Sequence, residues 1–269
     1  MKSPPKPTCL CFDMDLFCYD IGFAAQQKDG TLLSFDWVVD VIETRIEEIK
    51  QKLGIQEHYG YLTGKGNFRE QVATSDVYKG NRKQPKPRYY QPIRDYLYLH
   101  HNATVVDGME ADDAISIDMT EDPSIVCVSR DKDLRQVEGW HYGYPVGKQA
   151  EFPLTWVDHV GHLELNAKRK LVGTGLKFFF SQVLTGDTTD NYKGLTKVGP
   201  VKAYEILGEI DDPDVMYDTV LEMFNNEQHF KEQCILAWML RTPEIFTLDN
   251  IQRGFYEAHK YKSDGRNTE

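Results

Sequence analysis

Residues 108–133 read GMEADDAISIDMTEDPSIVCVSRDKD. Glu110, Asp112 and Asp113 precede an apolar-periodic segment, and acidic residues in the first turn of a helix complement the helix dipole. The run 124–129 is typical of a short buried strand, and two aspartates follow its carboxyl end. Ligands of open α/β sheets bind at that edge. The stretch therefore predicts an α/β fold with an acidic site at the sheet edge.

Further acidic residues occur where other predicted elements end. Asp13 and Asp15 follow an apolar N-terminal strand, and Asp131 and Asp133 follow the strand predicted at 124–129. Asp187 and Asp190 follow an apolar helix. Carboxylates that converge on one place repel one another unless a cation lies between them, so the pattern predicts one or two hard divalent cations with oxygen ligands. The alternative for the EADD run is an ordinary helix cap.

The composition limits the class of protein. A chain of 269 residues with 41% hydrophobic content can form one α/β domain, or such a domain with a helical appendage. The absence of a long apolar run or signal-like N-terminus predicts a protein with no membrane partner. Five cysteines without Cys-x-x-Cys spacing favour a reducing compartment, the cytoplasm, and argue against a zinc ribbon.

The charge of the chain is unevenly distributed. The formal net charge is −11, yet residues 65–94 contain eight basic residues against two acidic ones. Such a segment beside an acidic site favours contact with phosphates. Pro85 and Pro87 break any long helix there, and Tyr78 is in place to stack on a base or to pack. We expect a mobile, solvated segment, and the alternative is an ordinary charged loop.

Periodicity and capping residues predict the principal elements. The predicted strands are Thr8–Phe12, Tyr59–Thr63 and Ala103–Val106, in addition to 124–129, and 140–157 is predicted to be strand and turn. The predicted helices begin after Ser34 and end near Leu53, run from Pro92 to Leu99, and span Leu176–Leu184 and Val201–Leu207. The glycine-flanked segment between the last two helices exposes backbone N–H groups that can hold a phosphate.

Five motifs, in order, resemble those of the 5′ nuclease family, which includes flap endonucleases, bacteriophage 5′–3′ exonucleases and the 5′ nuclease domain of DNA polymerase I. They are FDMD, FRE…YKGNR, EADD, SRDKDLRQV and GDTTDNYKGLTKVG, and they span roughly residues 12–207. The resemblance implies a PIN-like α/β fold, with a mostly parallel central sheet flanked by helices. It implies a nuclease core over 1–172 with a basic arch at about 64–92. It also implies a helical DNA-binding region over 173–269, containing a helix-hairpin-helix (a helix-three-turn-helix) at about 176–208 and a disordered tail after Tyr261.

The resemblance also implies roles for individual residues. One divalent ion would be held by Asp13, Glu110 and Asp112, with Asp113 in or just behind that shell. A second would be held by Asp131, Asp133, Asp187 and Asp190. Lys79 and Arg82 would act at the scissile phosphate. The implied DNA contacts are Arg69, Tyr78, Lys83, Gly194, Lys197, Val198, Gly199 and Lys202.

One position departs from the family pattern. Leu62 and Thr63 stand near the place where family members commonly have a further ligand aspartate. The expected cofactors are two Mg²⁺ ions, with Mn²⁺ able to substitute, and a K⁺ ion at the helix-hairpin-helix.

The resulting hypothesis is a monomeric 5′–3′ exonuclease or flap endonuclease that uses two metal ions. Its partners would be DNA with 5′ ends, nicks or flaps, and RNA–DNA hybrids, in phage DNA replication or repair within the host cytoplasm. Two alternatives remain open. One is a haloacid-dehalogenase-like phosphatase with Asp13 as nucleophile and Asp15 as acid/base. The other is a non-catalytic, structure-specific DNA-binding protein.

Overall fold

The computed structural model describes residues 3–243 of the chain. Within these residues, contacts between Cα atoms divide the chain into two compact units. The first unit comprises residues 3–67, 83–131 and 139–156, and the second comprises 68–82, 132–138 and 157–243.

Strands and helices alternate over most of the first half of the chain. The strands are β1 (Cys9–Asp13), β2 (His58–Thr63), β3 (Ala103–Val106), β4 (Ile125–Val128), β5 (Gly139–Gly143), β6 (Phe152–Val157), β7 (Leu163–Leu165), β8 (Leu171–Gly173), β9 (Gly186–Asp187) and β10 (Tyr192–Lys193). The helices are α1 (Met14–Ala24), α2 (Phe35–Leu53), α3 (Phe68–Val72), α4 (Tyr90–His100), α5 (Ala111–Glu121), α6 (Gly175–Thr185), α7 (Pro200–Leu207), α8 (Pro213–Met223) and α9 (Glu227–Ala237). A 3₁₀ helix spans Asp133–Gln136.

The central sheet has the strand order β3-β2-β1-β4-β5-β6. The pairs from β3 through β5 are all parallel. The chain therefore adds β2 and β3 on one side of β1, and then returns to place β4 on the other side. Such a reversal is the switch point at which open α/β sheets bind ligands, beyond the carboxyl ends of the strands.

The core of the first unit is formed where helices cover the sheet. Strand β4 is buried along its whole length, as expected of a parallel strand covered on both faces. Phe12 and Val128, from the two central strands, are fully buried with Ile42 of α2 and Leu97 of α4. The apolar runs of the sequence thus become the centre of the sheet.

Helix α2 has a clear start and end. The Ser34 side chain accepts a hydrogen bond from the Trp37 backbone N–H at 3.2 Å, and Gly54 ends the helix with a φ of 68°. Glycine takes that left-handed conformation without steric cost.

The second unit is built around α6. This helix is buried from Gly175 to Leu184, and α7, α8 and α9 pack against it. The antiparallel hairpin of β7 and β8 packs against α7. Within residues 3–243, no helix is long and apolar enough to cross a membrane.

The predicted strands and helices are present, each within one or two residues of its predicted ends. Helix α1 was not predicted. Asp13 and Asp15 are typical of a loop, but the apolar side chains that follow them form a helix. Contacts group 68–82, 132–138 and the β7–β8 hairpin with the C-terminal helices. The nuclease core over 1–172 and the DNA-binding region over 173–269 stay predictions. The predicted disordered tail lies outside the described residues.

The segment 68–82 is anchored in the second unit by Glu232 of α9. The Glu232 carboxylate accepts hydrogen bonds from the backbone N–H groups of Thr74 and Ser75, at 2.7 and 3.0 Å, and from both hydroxyls. Burial raises the pKa of Glu232, but these hydrogen bonds lower it by a larger amount. The pKa of Glu232 therefore lies below its usual value.

We expect Glu232→Gln to lower the free energy of unfolding by about 1–3 kcal/mol at pH 7, because an amide cannot accept all of these bonds. Glu227→Gln, on the same helix but exposed, is the control. A carboxylate with a lowered pKa stabilises the fold above its unfolded pKa and loses this effect as the pH falls through the folded pKa. The difference between Glu232→Gln and wild type in urea titrations should therefore shrink below about pH 4. Equal stability of the two variants at pH 7 would refute the anchoring role.

Candidate functional site

The switch point of the sheet brings two predicted ligands together in the first unit. Asp13 is the last residue of β1, and Asp131 follows the adjacent strand β4. The Ser129 hydroxyl links the two strand ends: it donates a hydrogen bond to Asp13 Oδ2 at 2.9 Å and accepts one from the Asp131 backbone N–H at 3.0 Å. The parallel pairing of β1 with β4 thus positions both aspartates.

The environment of Asp13 is unusual for a carboxylate. The residue is 4% exposed, and its pKa is raised to about 8, with burial as the largest cause. The charges of Asp15 and Asp131 raise it as well, whereas the Ser129 hydrogen bond opposes them. A buried carboxylate with other carboxylates nearby is expected at a cation site or at a catalytic group.

Three acidic residues begin α5. Glu110 and Asp113 form a reciprocal capping box, in which the Glu110 backbone N–H donates to Asp113 Oδ2 at 3.1 Å. Asp113 is fully buried. The alternative that EADD caps a helix is therefore correct for Glu110 and Asp113, and Asp113 contributes to the helix start. Asp112, by contrast, is half-buried in the first turn.

The buried thiol of Cys127 lies within the electrostatic influence of three of these carboxylates. Burial raises the pKa of Cys127 on β4 well above its usual value, and the charges of Cys11, Asp13, Asp112 and Asp131 raise it further. The charges of Asp13, Asp112 and Asp131 thus all act on this residue of β4. Asp131, which the family resemblance assigns to a second ion, is linked to Asp13 through the Ser129 hydroxyl; its assignment to an ion stays a prediction.

Asp15 has a defined structural partner. Its carboxylate pairs with Arg94 of α4 at 3.0 Å and accepts the Thr63 backbone N–H at 2.9 Å. The Thr63 side chain in turn accepts the Ala111 backbone N–H at 2.9 Å. Thr63, which stands near the place where the resemblance implies a further ligand aspartate, thus joins β2 to the start of α5.

The second unit contains the other predicted ligands, each held by cationic or amide side chains. Lys132 Nζ lies 3.2 Å from Asp133 Oδ1 and 2.6 Å from Asp187 Oδ2. Gln182 also donates to Asp133 Oδ1, at 2.5 Å. The ammonium group of Lys132 therefore bridges Asp133 and Asp187.

The bridge has the expected electrostatic effects. Burial raises the pKa of Asp187, but the hydrogen bond and charge of Lys132, with the Thr189 backbone N–H, lower it below its usual value. Burial lowers the pKa of Lys132, but Asp133 and Asp187 raise it by a larger amount. The pKa of Lys132 therefore lies above its usual value. A protein cation thus occupies a position between two carboxylates that a metal ion would also favour.

The predicted catalytic cations both contact Asp190. Arg82 Nη2 lies 2.8 Å and Lys79 Nζ 3.8 Å from Asp190 Oδ1, and the Tyr78 hydroxyl donates to Asp190 Oδ2 at 3.1 Å. The Lys79 backbone N–H also donates to the Asp190 carbonyl oxygen at 2.9 Å, and Lys79 has a φ of 53°. The YKGNR motif is therefore folded onto Asp190.

Two predicted DNA contacts in this segment are buried. Tyr78 is 6% exposed, and Arg69 is fully buried, with its Nη2 donating to the Trp238 carbonyl oxygen at 2.5 Å. Long-range hydrogen bonds contact the segment 68–82 at Arg69 and at Thr74, while about half of its residues are exposed; its predicted mobility stays a prediction. Lys83, immediately after it, is exposed.

The glycine-flanked segment between α6 and α7 is a tight turn. Gly186 has a φ of 70°, and a Cβ atom placed there would lie 2.3 Å from the Gly194 backbone nitrogen. Only glycine fits this approach. Lys197 adopts a φ of 68°, and both Lys197 and Lys202 are exposed, while Gly199 precedes Pro200 at the start of α7. Val198 is half-buried, with its backbone N–H bonded to the Leu195 carbonyl oxygen.

The chemistry of the donors fits a hard divalent cation, since Asp13, Asp112 and Asp131 supply only oxygen. The raised pKa of Asp13 reflects burial first and then repulsion from Asp15 and Asp131, and a bound cation would offset both effects. In their present conformations, however, no three His, Cys, Asp or Glu side chains among residues 3–243 form a group that could hold a metal ion. Binding an ion would therefore require these side chains to draw together.

Comparison with known proteins places the fold. The chain aligns with the crystal structure of the T5 D15 protein co-crystallised with metal ions, with a TM-score of 0.55 and 14% identity over 93% of this chain and 99% of that one. The T5 5′-exonuclease with bound zinc ions gives a TM-score of 0.54 and 14% identity, over 86% and 89%. The chain has the 5′ nuclease fold. The fold class predicted from the motifs is thereby confirmed.

The proteins that this chain resembles in sequence are much longer than the chain. DNA polymerase I of Lactococcus lactis subsp. lactis (strain IL1403) is 28% identical over 198 residues, which cover 66% of this chain and 21% of the polymerase. DNA polymerase I of Streptococcus pneumoniae (strain ATCC BAA-255 / R6) is 27% identical over 196 residues, with the same coverage. The chain thus spans about a fifth of the length of the curated relatives it matches. No family model matches the chain.

Four residues that contact predicted ligands or their neighbours were not predicted: Thr63, Arg94 and Ser129 in the first unit, and Lys132 in the second. Ser129 and Lys132 lie inside the SRDKD motif, beside the predicted ligands Asp131 and Asp133. That position in the sequence could have indicated that they contact ligands. Arg94 had no such signal, because its partner Asp15 lies 79 residues away in the sequence.

We expect Asp13→Asn to stabilise the protein at pH 9 in EDTA. A carboxyl whose pKa is raised on folding contributes stability below its unfolded pKa and loses it as the pH rises through the folded value of about 8. The uncharged amide removes this loss, and its N–H groups can donate to neighbouring carboxylates. The gain in the free energy of unfolding should be on the order of 2 kcal/mol at pH 9. In urea titrations it should be absent at pH 4; a gain that does not depend on pH would contradict this explanation.

The Lys132 bridge predicts a link between Mg²⁺ and stability. Lys132→Met should lower the free energy of unfolding by about 1–2 kcal/mol in EDTA, because Asp133 and Asp187 lose their shared cation. Saturating Mg²⁺ should then raise the melting temperature of this variant more than that of wild type. Lys168→Met, at an exposed turn of the second unit, is the control. An equal Mg²⁺ effect on all three proteins would show that Lys132 and metal ions do not compete.

Proposed function

We propose that this chain is a divalent-metal-dependent nuclease that hydrolyses phosphodiester bonds of DNA at or near a 5′ end, as a 5′–3′ exonuclease or flap endonuclease. The observation that carries this proposal is the buried carboxylate of Asp13, crowded by Asp15 and Asp131 at the switch point of the sheet. The fold shared with the T5 5′-exonuclease supports it. So does a structure of the T5 D15 flap endonuclease in a complex with DNA and metal ions, with a TM-score of 0.54 and 13% identity.

Each unit would hold one Mg²⁺ ion, with Mn²⁺ able to substitute because the donors are oxygens. In the first unit, Asp13, Glu110 and Asp112 would hold one ion, beside Asp131. In the second unit, Asp133, Asp187 and Asp190 would hold the other. Bound divalent ions supply a water of lowered pKa and stabilise negative charge on the phosphate.

Lys132 has a defined part in this proposal. Its ammonium must leave Asp133 or Asp187 before these carboxylates can turn toward a metal ion. Because its side chain is half-exposed, Lys132 can swing into solvent or toward a phosphate without unfolding its surroundings. The residue would thus hold the two carboxylates together until an ion binds.

Lys79 and Arg82 would act on the substrate. Their cationic groups would move from Asp190 to the scissile phosphate and stabilise the charge that develops there. The Arg82 side chain is 53% exposed, so it can make this exchange at little cost in burial. The contacts with Asp190 keep both groups close to a proposed ligand in the absence of DNA.

DNA would be held by exposed groups of the second unit and by Lys83. Lys197 and Lys202 are exposed near the tight turn, and the backbone at Gly194, Val198 and Gly199 would contact phosphates, with a K⁺ ion at this segment as a further proposal. Such contacts give affinity that depends on salt and not on sequence. Arg69 and Tyr78 are not proposed as DNA contacts, because both are buried.

The biological setting is a proposal as well. The substrates would be DNA with 5′ ends, nicks or flaps, and RNA primers on DNA, cut by a monomer in phage DNA replication or repair. The match to DNA polymerase I supports a replication or repair role.

The two rival functions have less support. In a phosphatase of the haloacid-dehalogenase type, Asp15 would act as acid/base, yet here both of its oxygens are engaged by Arg94 and Thr63. A non-catalytic DNA-binding protein would have no use for a buried carboxylate with a raised pKa, which costs stability at neutral pH.

The function is tested by cleavage of 5′-labelled and 3′-labelled duplex and flap DNA, with Mg²⁺ or with EDTA. We expect Mg²⁺-dependent release of short products from the 5′ end. Asp13→Asn and Asp133→Asn should reduce cleavage by at least about 100-fold while DNA binding in Ca²⁺ persists. Asp36→Asn, at an exposed position of α2, should cleave like wild type. Tight binding without cleavage of any substrate by the wild type would favour the non-catalytic alternative.

The roles of Lys79 and Arg82 give a separate prediction. Lys79→Ala and Arg82→Ala should each lower single-turnover cleavage by about 100-fold, with less than about a threefold change in the dissociation constant for DNA. Lys197→Ala should do the opposite, with a weaker complex and a smaller salt dependence of binding. A loss of affinity that accounts for the whole loss of rate in Lys79→Ala would place Lys79 among the DNA contacts.

A further inference from the structure

We propose that Thr63 is a positioning residue for the metal site of the first unit. Its backbone is held by the ion pair of Asp15 and Arg94, and its hydroxyl sets the start of α5, from which Glu110 and Asp112 extend. This inference rests on the proposed function, because Glu110 and Asp112 are ligands of the Mg²⁺ ion proposed there. Thr63, Asp15 and Arg94 are not themselves proposed as ligands or DNA contacts.

The ion pair of Asp15 and Arg94 engages both backbone groups of Thr63. Asp15 Oδ2 accepts a hydrogen bond from the Thr63 backbone N–H at 2.9 Å, and Arg94 Nη2 donates one to the Thr63 carbonyl oxygen at 2.8 Å. Arg94 Nη1 and Asp15 Oδ1 lie 3.0 Å apart, and the two side chains are only 10% and 20% exposed. Hydrogen bonds shielded from water are stronger than exposed ones. The ion pair therefore fixes the position of the carboxyl end of β2.

The Thr63 hydroxyl holds the first residue of α5. It accepts a hydrogen bond from the Ala111 backbone N–H at 2.9 Å. The first N–H groups of a helix have no acceptor within the helix, and Ala111 is only 2% exposed, so water has little access to this group. Ala111 stands between Glu110 and Asp112 in the sequence. The bond to its N–H therefore fixes the point from which both carboxylates extend.

Backbone hydrogen bonds support this contact on one side. The Gly64 N–H donates to the Val106 carbonyl oxygen at 2.7 Å, and the Gly108 N–H donates to the Lys65 carbonyl oxygen at 2.9 Å. These bonds hold the segment that follows β2 against the segment that precedes α5. The Thr63 hydroxyl extends the contact to the helix itself.

The same network reaches a third proposed ligand. Asp15 lies in the first turn of α1, two residues after Asp13, the last residue of β1. Through Thr63, the network thus joins the chain beside Asp13 to the helix start that carries Glu110 and Asp112. We infer that the distance between these ligands depends on the hydroxyl of Thr63.

The test compares Thr63→Val with Thr63→Ser. Valine has nearly the shape of threonine and favours strands but cannot accept the Ala111 N–H, whereas serine keeps the hydroxyl. Mg²⁺ titrations of the full chain without DNA are followed by NMR at the backbone amide of Asp112, which reports on the first unit. Thr63→Val should weaken Mg²⁺ binding at least about tenfold, and Thr63→Ser should stay within about threefold of wild type.

Hydrogen exchange gives a second measurement that needs no metal ion. In EDTA, the Ala111 amide proton should exchange at least about tenfold faster in Thr63→Val than in wild type or Thr63→Ser, because it has lost its acceptor. Thr104→Val, the same change at an exposed position of β3, is the control and should match wild type in both measurements.

A variant of Arg94 tests the ion pair without changing Thr63. In Arg94→Lys, a single ammonium replaces the fork that contacts Asp15 and the Thr63 carbonyl oxygen together. This variant should weaken Mg²⁺ binding at least about tenfold, and it decides the proposal if Thr63→Val does not fold.

Two results would overturn the proposal: Mg²⁺ binding and Ala111 exchange in Thr63→Val equal to those of wild type, or Mg²⁺ binding by Thr63→Ser as weak as that by Thr63→Val. A failure of the proposed function looks different. A wild type that binds Mg²⁺ but cleaves no DNA would refute the nuclease and leave the role of Thr63 in Mg²⁺ binding intact. DNA cleavage by the wild type, with normal Mg²⁺ binding by Thr63→Val, would refute this inference alone.

Discussion

The repulsion between carboxylates at the carboxyl ends of β1 and β4 is the constraint on which the rest of the site depends. The sheet order places β1 beside β4, and this pairing puts Asp13 next to Asp131 while burial removes the water that would screen them. Such an arrangement lowers stability at neutral pH. A protein keeps it where a cation or a reaction uses the charge, and in an open α/β sheet the switch point is where ligands bind.

Other acidic groups of the site are held by side chains of the chain itself. Arg94 pairs with Asp15, Lys132 bridges Asp133 and Asp187, and Arg82 contacts Asp190. These contacts keep the carboxylates in place without a metal ion, and the half-exposed cations can exchange their partners for a phosphate. Asp13 differs, because its described hydrogen-bond partner among side chains is the uncharged hydroxyl of Ser129.

Local sequence patterns were sufficient for most of the fold, and they placed acidic residues at the ends of neighbouring strands. Alternation of apolar strands and amphipathic helices predicted β1 to β4 and α2, and acidic residues after strand ends marked Asp13 and Asp131. Helix α1 was missed although Phe17, Cys18 and Ile21 have helical spacing. The segment 68–82 could not be predicted, because a basic composition does not reveal that Glu232, some 158 residues away, accepts its hydrogen bonds. The partners of Arg94 and Lys132 depend on tertiary structure in the same way.

The account rests most directly on the protonation of Asp13, which can be measured by ¹³C NMR of the aspartate carboxyl groups, with Asp13→Asn used to assign the signal. Titration in EDTA should give a pKa of about 8 for Asp13, and saturating Mg²⁺ should lower it by several units. A pKa near the ordinary aspartate value of about 4 in EDTA, unchanged by Mg²⁺, would contradict both the carboxylate crowding and the metal site proposed from it.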